Sequence, residues 1–422
     1  MTLLQSLLGI AGLVGLAWLV SERKRGVAWR PVGVGLALQL LLAVILIKVP
    51  VLQSFFAVLN RAVTALSEAT LAGTSLLFGY VGGAPPPWAT TGTGSNFILA
   101  FQSFPLILVI SALSALFFHW NIIQPIVRAF AWVLRRTIGI DGPAGVAAVM
   151  DIFVGMVEAP LVVKPYLRAE SRTGLFVIMT AGMATVAGTV MVLYATMLTG
   201  IIPNPLGQIL TASILATPAA IVIAYIMVPE DPAAPKVSAD SAEIMLARQP
   251  GDNMMSVITR GTIEGAQLII NVIAMMIVLV ALVSLVNQTI GLLPNMAGTP
   301  LTLQRIFGWL MSPLAWMTGI PWSEAPAAGA LLGTKTALNE LIAYSDLSQL
   351  PPDALSPRSR LIMSYALAGF ANFGSLGIMI GGLSAMVPER RSEIVQLAPK
   401  ALISGTLATC MSGAMVGLLT WG

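Results

Sequence analysis

Charge is scarce in this chain. Of 422 residues only 9% are Asp, Glu, Lys or Arg, while 57% are hydrophobic. A soluble domain carries roughly 25% charged residues, so this sequence cannot solvate a globular surface and must be a polytopic membrane protein. Between Arg172 and Glu230 there is no acidic or basic residue at all, room for two spans of about 20 residues each. Ala69–Val127, Gly265–Gln304, Leu361–Pro388 and Ala401–Gly422 are likewise uncharged. Cysteine is nearly absent too. Cys410 alone excludes an intramolecular disulfide and any multi-cysteine metal site. The one histidine, His119, excludes a His-based metal cluster, and a Ser-His-Asp triad would have to use it. Beside Trp120 at an expected helix end, it reads as an interfacial anchor. A net charge of +4 points to no nucleic-acid partner.

What charge there is marks sidedness. The apolar run 2–20 has no basic residue before it and Glu22-Arg23-Lys24-Arg25 after it. That is the pattern of a first transmembrane helix ending at the cytoplasm, rather than of a signal peptide. With the N-terminus outside, helices are expected at about 2–20, 31–49 and 97–118, with an external amphipathic helix and loop over 51–95. An interfacial helix at 122–138 carries Arg128, Arg135 and Arg136. Further helices are expected at about 174–200, 206–228, 265–287, 359–386 and 401–420, which places the C-terminus outside as well. The fold class is therefore all-α polytopic, with about eight transmembrane helices. Five stretches follow: an N-terminal scaffold over 1–120, a first repeat over 121–228 and a polar cytoplasmic linker over 229–264. A further helix and external segment fill 265–312, and a second repeat fills 313–422.

Two segments do not cross. The stretch 142–162 is apolar but broken by Gly155 and Pro160, contains Asp151 and Glu158, and has basic residues on both sides. Entering and leaving on one face makes it a re-entrant hairpin, allowed where its backbone is buried in protein or lines water. The stretch 313–350, with Gly329, Gly333 and Glu340, repeats the pattern from the opposite face. An inverted repeat of this kind places substrate and ion sites at the repeat interface near the midplane. An acid at membrane depth is expensive and defaults to function, although Glu340 could also pair with Lys335. After each hairpin comes an apolar helix interrupted by small and polar residues: Thr185-Val-Ala-Gly188-Thr189, and Gly369-Phe370-Ala-Asn372-Phe-Gly374-Ser375. If these helices open, the freed carbonyls need a partner. A cation or a polar ligand supplies one.

Three motifs in order carry a specific resemblance. Gly333-x-Lys335-x-x-x-Asn339-Glu340-x-x-Ala343-Tyr344, Val154-Gly155-x-x-Glu158-Ala159-Pro160-Leu161 and Phe370-Ala-Asn372-Phe-Gly-Ser375 resemble the concentrative nucleoside transporter family over essentially the whole chain. The resemblance implies a homotrimer in a bacterial inner membrane, with each protomer importing nucleosides by an elevator-like movement. It implies that Glu340, Asn372 and Ser375 hold the ribose hydroxyls, with Phe370 packing nearby and Glu158 facing the base. A carboxylate can accept from two vicinal hydroxyls, so the chemistry agrees. Where that family commonly has Gln and Thr after Gly155, this chain has Met156 and Val157, which offer no ordinary hydrogen-bond donor. The implied sodium site comprises Asp151, the carbonyl of Val154, and a hydroxyl and carbonyl at Thr185 and Val186. Sodium-coupled members usually carry Asn where Asp151 stands. An Asp offers sodium a full charge and hard oxygens, and it can equally carry a proton, so the coupling ion is Na+ or H+. No other cofactor is implied. The alternatives are a transporter of this fold for a modified nucleoside or other solute, an intramembrane lipid-modifying enzyme, and a passive channel.

Overall fold

The computed structural model describes residues 2–87, 97–140, 142–231, 253–295, 298 and 300–420. Among these residues the chain is helical, without strands. Helix α1 (Thr2–Leu19) leads through a basic 3-10 turn to α2 (Trp29–Lys48) and α3 (Pro50–Phe78). Pro50 lies in the first turn of α3, where its missing N–H costs nothing. Next come the short α4 (Leu99–Gln102) and α5 (Pro105–His119). The expected span at 97–118 is thus bent at Ser103-Phe104, just before Pro105. Residues 88–96 of the expected external loop lie outside the described residues.

Two series with the same order follow. The first is α6 (Ile123–Thr137), then α7 (Gly142–Met150), α8 (Glu158–Val162) and α9 (Lys164–Leu167), α10 (Arg172–Ala184), α11 (Gly188–Met197) and α12 (Pro205–Met227). After the long α13 (Met254–Ile290) comes the second: α14 (Leu303–Met317), α15 (Ala325–Ala337), α16 (Glu340–Gln349), α17 (Pro357–Leu367), α18 (Phe373–Met386) and α19 (Arg391–Leu419). Many of these helices begin on a side chain that accepts from the third residue on: Ser171, Asn253, Thr302, Asn339, Ser356 and Asn372. Each satisfies one of the orphan N–H groups of a helix start.

Two expected boundaries are corrected. The linker expected over 229–264 ends by Asn253, because α13 starts at Met254 and carries Arg260 and Glu264 inside it; residues 232–252 lie outside the described residues. The boundary at 312/313 cuts through α14, which packs along α15. Helix α14 stands to the second series as the amphipathic α6 stands to the first. Pro313 lies inside it, where a proline ordinarily breaks a helix.

The hairpins enter from opposite ends. At one end an ion-pair network joins distant parts of the chain: Arg172 to Glu22 (2.8 Å) and Glu393 (3.3 Å), Lys400 to Glu22 (2.6 Å), and Arg390 to Glu393 (2.7 Å). Arg390 also donates to the carbonyls of Leu167 and Glu170, so the base of the first hairpin lies there. At the other end Arg358 donates to carbonyls of Gly319, Gly417 and Thr420, and Gln5 to those of Trp316 and Ile320. The base of the second hairpin lies there, with Glu324 accepting from Ser356. The start of α1 and the end of α19 share this second end.

Helices α10, α12 and α19 pack together; α10 and α12 are almost wholly buried, and α19 is buried over most of its length from Ala401 on. Helices α1 and α2 lean on α12 and α19, whereas α5 packs along α13. Gly261 and Gly265 let α13 close onto α5: a Cβ on Gly261 would lie 2.8 Å from the Ser111 carbonyl oxygen. Small residues one turn apart permit this approach between membrane helices. The rest of α13 is mostly uncovered, and Ile263, Ile270 and Ile277 are exposed.

Candidate substrate and cation site

The helices after both hairpins are broken. Between α10 and α11 the chain unwinds over Thr185-Val186-Ala187, and between α17 and α18 over Ala368–Asn372. The last helix of each series holds its own break. Ser213 on α12 bonds both the N–H and the carbonyl of Val186, at 3.1 and 3.3 Å. Lys335 donates to the Ala366 carbonyl at 2.9 Å and to Thr409 on α19 at 3.0 Å. These partners satisfy backbone groups that lipid could not. The breaks also touch: a Cβ on Gly369 would meet the Ala184 carbonyl oxygen at 2.8 Å.

Beside the breaks lies a cavity of 530 Å³, within the roughly 300–1,000 Å³ of small-molecule sites. The starts of α11, α16 and α18 all reach it, through Thr189, Glu340 and Ser375. Half-helix N-termini are positive dipole ends, and here they surround the protein's own carboxylate. Glu340 is the first residue of α16 and is buried. Its Oε1 accepts from the Tyr194 hydroxyl at 2.7 Å, and its Oε2 from the Asn372 amide at 2.9 Å. Asn372 spends its own oxygen on the Ser375 N–H at 2.7 Å, so one side chain both caps α18 and orients Glu340. Glu340 therefore spends its acceptors on Tyr194 and Asn372, while Lys335 bonds elsewhere. An ionised carboxylate has about four lone-pair sites; accepting from two protein donors leaves capacity for two more donors. Tyr194 stacks on Tyr344 at 5.0 Å between centroids.

The structure brings Glu340, Phe370, Asn372, Ser375, Gly155, Met156, Val157 and Glu158 to this one cavity. Gly155 allows Glu158 to fold back, since a Cβ there would lie 2.3 Å from Glu158 Oε2. Met156 also packs on α10, where a Cβ on Gly182 would be 2.8 Å from its own Cβ, and Val157 touches Gly382 on α18.

The four positions named for the cation lie where the first hairpin meets the first break. Asp151 is 1% exposed, and neither of its carboxylate oxygens has a hydrogen-bond partner among the described residues. Leaving a buried polar group unpaired is costly, and a carboxylate with free lone pairs in such a place fits a cation or a proton. Asp151 Oδ1 lies 3.8 Å from the Cβ position of Gly182, and the Gly188 N–H donates to the Phe153 carbonyl at 3.2 Å. These contacts seat the tip against the break that contains Thr185 and Val186. The Thr185 hydroxyl donates to the Ala181 carbonyl at 2.9 Å, which leaves its lone pairs available. Val154 lines the neighbouring cavity.

Several lining residues are invisible to motif reading. Tyr194 sits in an apolar helix, 146 residues from the carboxylate it touches. The opposite wall comes from α5, through Ile107, Ser111 and Phe118, and from α13, as a stripe of Glu264, Leu268, Asn271, Val272, Met275 and Leu279. Glu264, at the end of the linker expected over 229–264, belongs to α13.

Comparison with known proteins agrees with this architecture. Residues 8–81 match the family described as Na+ dependent nucleoside transporter N-terminus, residues 208–417 its C-terminus, and residues 100–200 a family described as nucleoside recognition. An uncharacterized transporter of Bacillus subtilis, YutK, is 35% identical over 99% of this chain and 100% of its own length. The nucleoside permease NupC of Helicobacter pylori is 33% identical over 98% of this chain and 97% of its own. The solved structure of CNTnw in an inward-facing, substrate-bound state superposes with a TM-score of 0.88 at 34% identity, covering 99% and 98% of the two chains. These relatives are transporters, not enzymes. Broken helices, opposed hairpins and full-length likeness together make this chain a member of the concentrative nucleoside transporter family.

Proposed function

We propose that this chain imports nucleosides, uridine among them, across the bacterial inner membrane in symport with a cation. The observation that carries the reading is Glu340: a buried carboxylate, oriented by Tyr194 and Asn372, facing a cavity large enough for a nucleoside. Its unused lone pairs suit the vicinal hydroxyls of a ribose, a pairing strengthened by charge. Asn372, Ser375 and Phe370 complete the sugar end, and Glu158 takes the base.

The cation sits at Asp151 with Val154, Thr185 and Val186. One unwound tip carries Asp151 at its start and Glu158 at its end, so a cation that orders the tip also places the base-facing carboxylate. That is a physical route by which ion binding raises nucleoside affinity. Cation and nucleoside then bind from outside, the two repeats move together against α5 and α13 in an elevator-like step, and both leave inside. Sodium is the coupling ion that the family favours, with a proton as the alternative that the carboxylate of Asp151 permits. The termini face the periplasm, and the uncovered face of α13 meets lipid or the neighbouring protomers of a homotrimer.

The test is uridine uptake into proteoliposomes with a sodium gradient or a pH gradient imposed separately. Uptake driven by sodium at constant pH and retained in Asp151→Asn assigns sodium. Uptake that follows the pH gradient and is lost in Asp151→Asn assigns the proton. Absence of any nucleoside uptake under either gradient overturns the reading.

A further inference from the structure

The hairpin residues nearest Glu158 bring no donor to the base end, because Met156 and Val157 are apolar. A donor is available on the facing helix. Asn271 lines the cavity from α13, and its side-chain oxygen accepts from Gln267, one turn earlier, at 3.0 Å. With the oxygen engaged, the Asn271 NH2 is what the side chain offers to a ligand.

Its height along the cavity follows from contacts at two glycines. The Cβ position of Gly374, at the sugar end, lies 3.4 Å from both Met275 and Leu279 on α13. The Cβ position of Gly382 lies 2.9 Å from Val157, next to Glu158. Gly374 to Gly382 is about 12 Å along α18, and Asn271 is about 6 Å from Met275 and about 12 Å from Leu279 along α13, at 1.5 Å per residue. Asn271 therefore sits on the Glu158 side of the sugar-binding groups, where a base would lie. Glu264 on α13 also lines the cavity.

Resting on the nucleoside reading above, we propose that Asn271 is a base-reading residue. With Glu158 it selects bases whose edge sets a ring N–H beside a carbonyl. Asn271 donates to the carbonyl while Glu158 accepts from the N–H. Uridine, inosine and guanosine present that pair. Cytidine and adenosine present an amino group beside an unprotonated ring nitrogen, which sets a donor against the Asn271 NH2 and a lone pair against the carboxylate. Sites that hydrogen-bond a substrate group reject the mismatched analogue far more strongly than apolar pockets do. Gln267 is a positioning residue that fixes which way the amide points.

The experiment is uptake in proteoliposomes of two matched pairs, uridine with cytidine and inosine with adenosine, under a saturating cation gradient. In the unaltered protein the oxo member of each pair is favoured on the order of ten-fold in kcat/KM. Asn271→Asp, which replaces the donor by an acceptor of the same shape, levels the ratio, because each base then satisfies one of the two contacts and opposes the other. Gln267→Leu keeps uptake but lowers the ratio, because the amide is free to turn. Equal uptake within each pair or a preference for the amino members in the unaltered protein, or a ratio unmoved in Asn271→Asp, overturns the proposal while leaving nucleoside transport intact. Failure of all four substrates in the unaltered protein instead overturns the nucleoside reading.

Discussion

Replacing Glu340 by Gln tests the sugar end, and the geometry predicts how the amide will settle. Asn372 can only donate to this side chain, whereas the Tyr194 hydroxyl can donate or accept. The Gln oxygen therefore takes the place of Oε2 beside Asn372, and the NH2 takes the place of Oε1 beside Tyr194. One ribose hydroxyl loses its acceptor, and the other keeps a neutral one. A hydrogen bond to a charged group is worth about 1.5–3 kcal/mol, so the combined loss is about 3 kcal/mol, roughly 100-fold in affinity. Calorimetric or scintillation-proximity binding of uridine reads this directly. Repeating it with 2′,3′-dideoxyuridine makes the measurement a cycle. That ligand has already forgone both bonds, so Glu340→Gln should weaken it less than about three-fold, as expected of coupled groups. Equal losses for uridine and the dideoxy analogue would refute the assignment of Glu340 to the ribose, whatever the absolute affinities.

Tyr194→Phe keeps the stack on Tyr344 but removes the hydroxyl that orients Glu340; uridine KM should rise about ten-fold, from the loss of one charge-assisted bond, with kcat little changed. A fall in kcat at constant KM would mean that Tyr194 acts on the moving step instead. At the ion-pair end, the hydrogen bond from Arg172, seconded by Lys400, lowers the pKa of Glu22 from 4.5 to about 2 against the opposing effect of burial. A carboxylate depressed in the folded state adds stability that is complete above its unfolded value and fades as pH falls from about 4.5 through about 2. Because Glu22 is partly exposed, solvent screens much of that contribution. Thermal unfolding in detergent across that window should therefore lose midpoint more steeply in the unaltered protein than in Arg172→Ala, and parallel curves would remove the network from the account.

Composition and charge placement made the membrane class, the helix order and the two hairpins legible, since each follows from local sequence. Glu340 and Asn372 were legible because a Gly-broken apolar segment isolates them. Tyr194, Asn271 and Glu264 were not, for a reason of geometry. Each lies on a helix whose local pattern gives it no special place, and only packing between helices distant in sequence brings it to the cavity. Lys335 shows the same limit in reverse. Its position five residues before Glu340 suggests a salt bridge, yet α15 ends between them, and the ammonium turns to the carbonyl of Ala366 that the broken helix leaves free. The unwound backbone thus competes for charged side chains as strongly as the acids do. Lys335 is committed to a broken helix, and Glu340 to Tyr194 and Asn372. Asp151, buried with both oxygens unpartnered, stands apart from that pattern, which is why the coupling ion is sought there.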